Sequence, residues 1–591
     1  MEIWFNPAQS LEGILKKVAG TLEGFSEEFS PDVRASDPRF GDFQANGVLA
    51  EAKRMKKNPR ELAQTFVAEL EKSGELDSDL VSMSIAGPGF INFKFSPKFF
   101  GLWVAQYRDA ENLKKSSGTL YAGKKVVIDY PSPNTAKQMH VGHLRILVIG
   151  EAIARLLQFC GADLVRDNHI GDWGTNFGIL IFEIKRTGYV FPEDDSVALA
   201  ELEELYKAGT AYVKDEEAHP GAFDEARLEL VKLQQGDPEN LELWKRIVKV
   251  SNAACEKIYD LFGVHPDVTL GESFYRDKVG RIYDELTETG IAEENQGALV
   301  VFIKEHERFK KQPFIIRKSD GASNYASTDL ATMLHRVEHF NAEEIVYVTD
   351  GRQQDHFQQL FLTAKKWFDA KGYRLPALRH VWFGTILGED GKAIKTKSGE
   401  PVRLKMLLDE AVSRARAIVV EKNPDMPADE ADKIAETVGV AALRYADLSQ
   451  NRTNDYLFSW DKLLAFEGNT APYLLYAVAR MHSIFRKTGI SPEADFASVA
   501  DEMQTDQEIA LARKLVALPA VFELTLSELR PHYLCTYLYE LAGVFSSFYN
   551  ANKVITDNDA EKSRRLMLCS RTMRVLETGL RLLGIESLEK M

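Results

Sequence analysis

The sequence predicts a multidomain α/β protein, in which a small α+β unit precedes a parallel-sheet domain and a long all-α region follows it. Three observations carry this. The chain has 591 residues, too long for one core, and at about 100–200 residues per domain about three to five domains are expected. Short apolar runs alternate with helical stretches between Lys124 and Phe383, the pattern of strands joined by crossover helices. From Leu404 onward apolar residues recur at three- and four-residue spacing, through Leu407, Val412, Ile434, Val438 and Leu443, as in helices that bury one face.

The elements follow in order. An amphipathic stretch near Leu11–Val18 and a helical run over Val48–Lys72 come first. Val81–Ile85 and Phe90–Phe95 alternate apolar and polar residues around Gly87-Pro88-Gly89, which reads as a hairpin. After the Lys114–Gly118 linker, Lys124–Tyr130 is a short apolar strand, followed by a loop and a helix from about Gly142 to Phe159. Further strands are expected at Leu164–Arg166, Glu344–Val348 and His380–Phe383. A peripheral helical insertion is expected at about 190–310, Glu/Asp-rich over Pro192–Leu241. Asp495–Asp506 is a polar break, and the residues beyond it read as an amphipathic bundle.

Composition narrows the class. No run of 18 apolar residues occurs, so no membrane span is expected. Met1–Pro7 has no basic or long apolar leader character, which makes the cytoplasm the expected compartment. Cys160, Cys255, Cys535 and Cys569 are spaced neither as a disulfide framework nor as a zinc pair, and are expected to be buried apolar residues. The formal charge of −15 argues against a polyanionic partner overall. Locally the balance reverses: 391–420 holds seven Lys/Arg, and 562–581 holds six against Glu577 alone, compatible with RNA contact.

The most informative segment is Asp129-Tyr-Pro-Ser-Pro-Asn-Thr-Ala-Lys-Gln-Met-His140-Val-Gly-His143-Leu-Arg145. It joins a strand to a helix N-terminus, where unpaired N–H groups and the helix dipole favour phosphate. His140 and His143 can donate to a triphosphate, and Gly142, lacking Cβ, lets an adenine approach the backbone. Walker and GxGxxG fingerprints are absent, so an ATP site here is of the HIGH type.

SPNTAKQMHVGHLR at 132–145, followed by HIGDWGTNFG at 169–178, closely resembles arginyl-tRNA synthetases. GDFQANG (41–47), GPGFINF (87–93), YASTDLA (325–331), GTILGEDGK (384–392), DLSQNR (447–452) and LLGI (582–585) extend the resemblance over nearly the whole chain. It implies a Rossmann-like catalytic domain of the class I synthetases, with an N-terminal tRNA-binding domain and a helical anticodon-binding domain. The expected limits are 1–115 for the N-terminal D-loop-binding unit and 119–390 for the catalytic domain with its insertion. A KMSKS-like loop and helical stem are expected over 391–465, and the anticodon-binding bundle over 466–591.

The resemblance also implies residue roles. Asn134 and Gln353 would hold the arginine α-amino group, with Ser132 and His143 in the same pocket, while Tyr325 and Asp329 would meet the guanidinium. A planar cation with five donors suits a carboxylate and a phenolic oxygen, and residues at i and i+4 share a helix face. Asp129, where this family carries Glu or Asp, is a second guanidinium candidate. Pro131 departs from the Ser usual there. His140, Gly142, His143 and Lys137 form the expected ATP site. KMSKS itself is missing, Lys395-Thr-Lys397-Ser-Gly standing in its place. In arginyl enzymes of this type a lysine before HIGH, here Lys137, is thought to compensate. Lys137, Lys395 and Lys397 are therefore the candidates for the phosphates, since a positioned ammonium stabilises charge developing on a leaving pyrophosphate.

The implied partners are ATP, L-arginine and tRNA(Arg), with the chain acting as a monomer. Mg2+ is expected to arrive with ATP, without a dedicated protein metal site. Tyr473, Tyr476 and Arg480 are the candidates for anticodon contact, because loop bases stack on aromatics and arginine. Phe40, Gln44 and Asn46 are the D-loop candidates.

Overall fold

Five parallel strands form the central sheet of the computed structural model, which describes residues 3–319, 321, 323–395, 401–494, 496 and 502–591. They are β1 (Lys125–Asp129), β2 (Asp163–Asn168), β3 (Val268–Thr269), β4 (Glu344–Asp350) and β5 (Ala377–Phe383). Their spatial order is β5-β4-β1-β2-β3, parallel throughout. Chain progression reverses between β1 and β4, and ligands bind such sheets in the crevice beyond the strand C-termini at that switch. Val126, Val127 and Ile128 of β1 are buried, as a strand covered on both faces requires.

Eight helices matter for the site: α1 (Leu144–Phe159), α2 (Asp195–Lys214), α3 (Pro238–Leu261), α4 (Tyr325–Phe340), α5 (Gln354–Lys371), α6 (Leu404–Lys422), α7 (Ala428–Leu448) and α8 (Asp559–Leu582). Most residues of α1 are buried because it packs on β2 and β4 and also against α7 and α8. A helix that is apolar all round is buried on all sides. Arg145 at its start is itself buried and meets the buried Asp447 of α7, Nε to Oδ2 at 3.0 Å. This pair joins the HxGH segment to the DLSQNR segment.

Two sequence expectations are corrected. The insertion is not helical over 190–310: after α3 the chain returns to the central sheet as β3, then adds antiparallel strands at Glu293–Asn295, Ala298–Val301 and Phe314–Arg317. The two-residue β3 is too short to show periodicity. The run over Val48–Lys72 is two helices, Gly47–Met55 and Pro59–Ser73. Lys56 takes a left-handed conformation at φ 54°, and Asn58 caps the second helix by accepting from the N–H groups of Arg60 and Glu61, with Pro59 at its first position.

The N-terminal unit contains the expected hairpin, Val81–Ala86 with Phe90–Phe95, inside a four-stranded antiparallel sheet completed by Val33–Ala35 and Phe43–Ala45. It docks on the C-terminal helices through buried Asp42, which accepts from Arg513 Nε at 2.5 Å and from the Phe95 N–H at 2.7 Å. Among the described residues, the elements after Leu404 are helices apart from Tyr456–Leu457, which pairs with Ile386–Leu387. All four cysteines are free and buried.

Candidate active site

The loop after β1 and the HIGDWG segment after β2 form one cradle. The Ser132 N–H donates to Asn168 Oδ1 at 3.0 Å, and the His169 N–H donates to Ser132 Oγ at 3.1 Å. Gly171 N–H donates to the Pro133 carbonyl, and the Gly171 carbonyl accepts from the N–H and Oγ1 of Thr135. A Cβ at Gly171 would sit 2.2 Å from Asn134 Oδ1, so the glycine is what lets that amide lie against the backbone. Asn134 is itself exposed at the crevice.

The HxGH turn is a short 3-10 segment, Val141–His143, leading into α1. The Gly142 N–H donates to His140 Nδ1 at 3.0 Å and the His140 N–H donates to His143 Nδ1 at 3.1 Å. With both Nδ1 atoms accepting, each neutral ring carries its proton on Nε2 and presents it as a donor. Burial, with Lys137 and Arg352 nearby, lowers the His140 pKa. Burial and the neighbouring His140 push that of His143 down to about 4. A Cβ at position 142 would lie 2.8 Å from His140 Cε1, so glycine is needed for the ring to fold back.

The segment that follows the lysine loop packs on this turn. Val141 N–H donates to the Val402 carbonyl at 2.8 Å, and Leu404 N–H to the Met139 carbonyl at 2.9 Å. Lys395 is exposed and bridges to Pro401, which brings both ends of the loop beside HxGH. Lys397 lies outside the described residues. Lys137 is exposed, with its Nζ 4.9 Å above the Tyr206 ring of α2.

Across the crevice, α4 begins with Tyr325, whose side chain is exposed, and one turn later Asp329 faces α5. Asp329 Oδ2 lies 2.5 Å from His356 Nε2. Gln353 is exposed in the 3-10 turn after β4. Asp129 is placed differently from the expectation of a substrate guanidinium contact. Its Oδ2 is 2.7 Å from the buried Arg336 Nη2 and its Oδ1 accepts from Ser132 Oγ at 2.6 Å, so an internal guanidinium already occupies it. Burial opposes the Arg336 charge, but Asp129 and Asp167 outweigh it and hold the guanidinium well above its ordinary pKa.

Sequence reasoning missed Glu272. It opens the short helix Glu272–Tyr275, anchored by Asp172 of HIGDWG, which accepts from the Ser273 N–H and Oγ at 2.9 and 2.6 Å. Burial, Asp172 and Asp329 raise its carboxyl to about 7, against a lowering by His169. Tyr325 feels the same group: desolvation, Glu272 and Asp329 raise its phenol. Tyr325, Asp329 and Glu272 thus lie within electrostatic reach of one another. The only signal was one acid after a two-residue strand.

The RNA candidates are dispersed. Phe40 is 59% exposed, whereas the Gln44 and Asn46 amides donate to Asn92 and Asp32. Tyr476 is exposed, Tyr473 packs edge-on against Tyr539, and Arg480 lies 4.6 Å over the Tyr549 ring.

The chain matches three family descriptions: "Arginyl tRNA synthetase N terminal domain" over residues 8–95, "tRNA synthetases class I (R), catalytic domain" over 110–460, and "DALR anticodon binding domain" over 474–591. It is 41% identical over 577 residues to an arginine–tRNA ligase of Salmonella schwarzengrund, covering 96% of this chain and 97% of that protein. The arginyl-tRNA synthetase of Plasmodium falciparum superposes with a TM-score of 0.81 at 27% identity, covering 99% of each chain. That of Thermus thermophilus superposes at 0.78 and 25% identity, covering 99% of this chain and 100% of that one. The class I catalytic sheet, the HxGH turn and these matches together place the chain in the arginyl-tRNA synthetase family of aminoacyl-tRNA ligases.

Proposed function

We propose that this chain is an arginine–tRNA ligase whose residues divide between an arginine wall and a phosphate turn, facing each other across the β1/β4 crevice. The juxtaposition of Tyr325, Asp329 and Glu272 carries this reading, because a guanidinium entering a cleft needs several acceptors and compensating charge. Asn134 and Gln353 receive the α-amino end, with Ser132 holding the loop and His143 beside it. Asp129 acts indirectly, as the buried partner of Arg336.

The arginine carboxylate attacks the α-phosphorus of ATP, pyrophosphate leaves and arginyl-adenylate remains. A tRNA terminal hydroxyl then displaces AMP. No protein nucleophile is required, so the enzyme works by positioning and charge stabilisation. The Nε2–H groups of His140 and His143 donate to phosphate oxygens, and Gly142 leaves room for adenine. Lys137 and Lys395 stabilise the charge that builds on the leaving pyrophosphate, with Lys397 the further candidate for that role. Mg2+ enters as part of the ATP substrate, neutralising phosphate charge.

Residues 1–115 and 466–591 are the tRNA-handling units in this reading, with Phe40 and Tyr476 the exposed aromatics available for stacking. Gln44, Asn46, Tyr473 and Arg480 support those surfaces. A monomer is the proposed state, as the family resemblance implies. The cytoplasm, where tRNA, ATP and arginine meet, is the proposed compartment. Among the described residues no helix is long and apolar enough to cross a membrane.

Charging total tRNA with each of the twenty amino acids tests the reading: arginine alone should be esterified. Pyrophosphate exchange should require added tRNA, as expected if RNA binding assembles the pocket. Charging of another amino acid at a comparable rate would overturn the assignment.

A further inference from the structure

Lys137 is exposed, yet the helical insertion holds both the backbone that enters it and its side chain. The Ala136 N–H donates to Ser251 Oγ of α3 at 2.9 Å, and that hydroxyl donates in turn to the Ile247 carbonyl at 2.8 Å. Ser251 is buried. Ala136 is buried too, in one apolar cluster with Trp173 and with Leu199 and Leu202 of α2. Its φ is 62°, a left-handed conformation that a residue with a Cβ keeps only where its surroundings over-determine it.

The side chain is held separately. Lys137 Nζ lies 4.9 Å over the Tyr206 ring of α2. Tyr206 Oη donates to Asn176 Oδ1 at 2.7 Å, on the helix Thr175–Thr187 that follows HIGDWG, so the far end of the ring is tethered. Three residues earlier on α2, Glu203 meets Arg403 at 3.5 Å, next to Val402, whose carbonyl accepts from Val141 of HxGH. Residues three apart share a helix face, so one face of α2 touches both Lys137 and the segment after the lysine loop.

Other lysines set the comparison. Lys124 and Lys514 also lie over tyrosine rings, but each additionally holds a carboxylate, Glu344 and Glu540. Among the described residues Lys137 has no carboxylate partner. A ring attracts the cation without using its N–H donors, so the ammonium is oriented and yet keeps all of them for a phosphate. Its charge reaches the HxGH turn: after burial, Lys137 contributes to lowering the His140 pKa, and after burial and His140 to lowering that of His143.

We propose that the helical insertion seats Lys137: Ser251 fixes the backbone entering it, and Tyr206, tethered by Asn176, is a positioning residue that aims its ammonium at the ATP phosphates. This role rests on Lys137 being the phosphate contact of the proposed function.

The test is a double-mutant cycle on arginine-dependent pyrophosphate exchange by the full chain with tRNA present. Tyr206→Leu should lower kcat roughly three- to tenfold, with any change in KM falling on ATP rather than arginine. Tyr206→Phe, which keeps the ring and loses the tether, should recover part of that loss. In the Lys137→Ala background Tyr206→Leu should cost nothing further, because no ammonium is left to aim. A Tyr206→Leu kcat equal to wild type, a Tyr206→Phe kcat no better than that of Tyr206→Leu, or a loss that multiplies with that of Lys137→Ala overturns the positioning role. An unimpaired Lys137→Ala overturns the phosphate role of Lys137 and the positioning role with it, so the two failures are told apart. Should Tyr206→Leu fail to fold, Ser251→Ala enters the same cycle: a kcat loss that vanishes in the Lys137→Ala background supports the seat, and an unchanged kcat or a loss that multiplies overturns it.

Discussion

His356 Nε2 lies 2.5 Å from Asp329 Oδ2, so the carboxylate on the first turns of α4 is held by a ring from α5 before any substrate arrives. A carboxylate fixed in this way meets a guanidinium without reorganising. Asparagine at 329 keeps the shape and removes the charge. Asp329→Asn should lower kcat/KM for arginine by roughly 10²–10³, since a buried guanidinium deprived of its partner loses about 3–5 kcal/mol. Citrulline, neutral and isosteric, should be rejected less strongly by this variant than by wild type. Arginine charging within about threefold of wild type sinks the guanidinium assignment.

The Glu272 carboxyl, raised to about 7, predicts a pH-dependent arginine KM. Only its ionised form pairs with the cationic substrate, so KM should fall as pH rises through about 7 and rise by up to roughly tenfold per pH unit below it. His143, with its pKa at about 4, stays neutral across that window. Steady-state KM between pH 6 and 8 decides, and Glu272→Gln should flatten the profile. A flat profile in the wild type removes Glu272 from the pocket.

Lys137→Ala should reduce kcat by roughly 10²-fold with little change in arginine KM, as expected for a contact made mainly in the transition state. In the structure its ammonium rests over Tyr206, so Tyr206→Leu should alter the ATP KM before it alters arginine binding. If Lys395→Ala or Lys397→Ala proves more damaging than Lys137→Ala, the loop is the principal phosphate contact.

Arg336→Met should destabilise the protein by about 3–5 kcal/mol, because it leaves the carboxylates of Asp129 and Asp167 buried without their common counter-charge. Denaturant midpoints measured with intact secondary structure at zero denaturant check this. A loss below about 1 kcal/mol shows that the pair has another source of charge compensation.

Much of the fold was legible locally. Val126–Ile128 announced a buried strand by composition, α1 by its unbroken apolar periodicity, and the hairpin around Gly87-Pro88-Gly89 by period two and turn chemistry. The HxGH turn was legible too, since its histidines, glycine and helix start lie within a few residues of one another. These features depend on neighbours in the chain, and the sequence by itself determined them.

Tertiary structure decided which side chains meet. Asp129 and Asp329 are equivalent as isolated carboxylates, yet Arg336, far along the chain, occupies the first, while a histidine from a different helix orients the second. Glu272 comes within electrostatic reach of Asp329 because the two-residue β3 returns the chain to the sheet edge and Asp172 of the HIGDWG segment anchors the helix that follows. Electrostatic role is set by burial and by charges a few ångströms away in space, whatever their separation in sequence, and those distances exist only once the strands have taken the order β5-β4-β1-β2-β3.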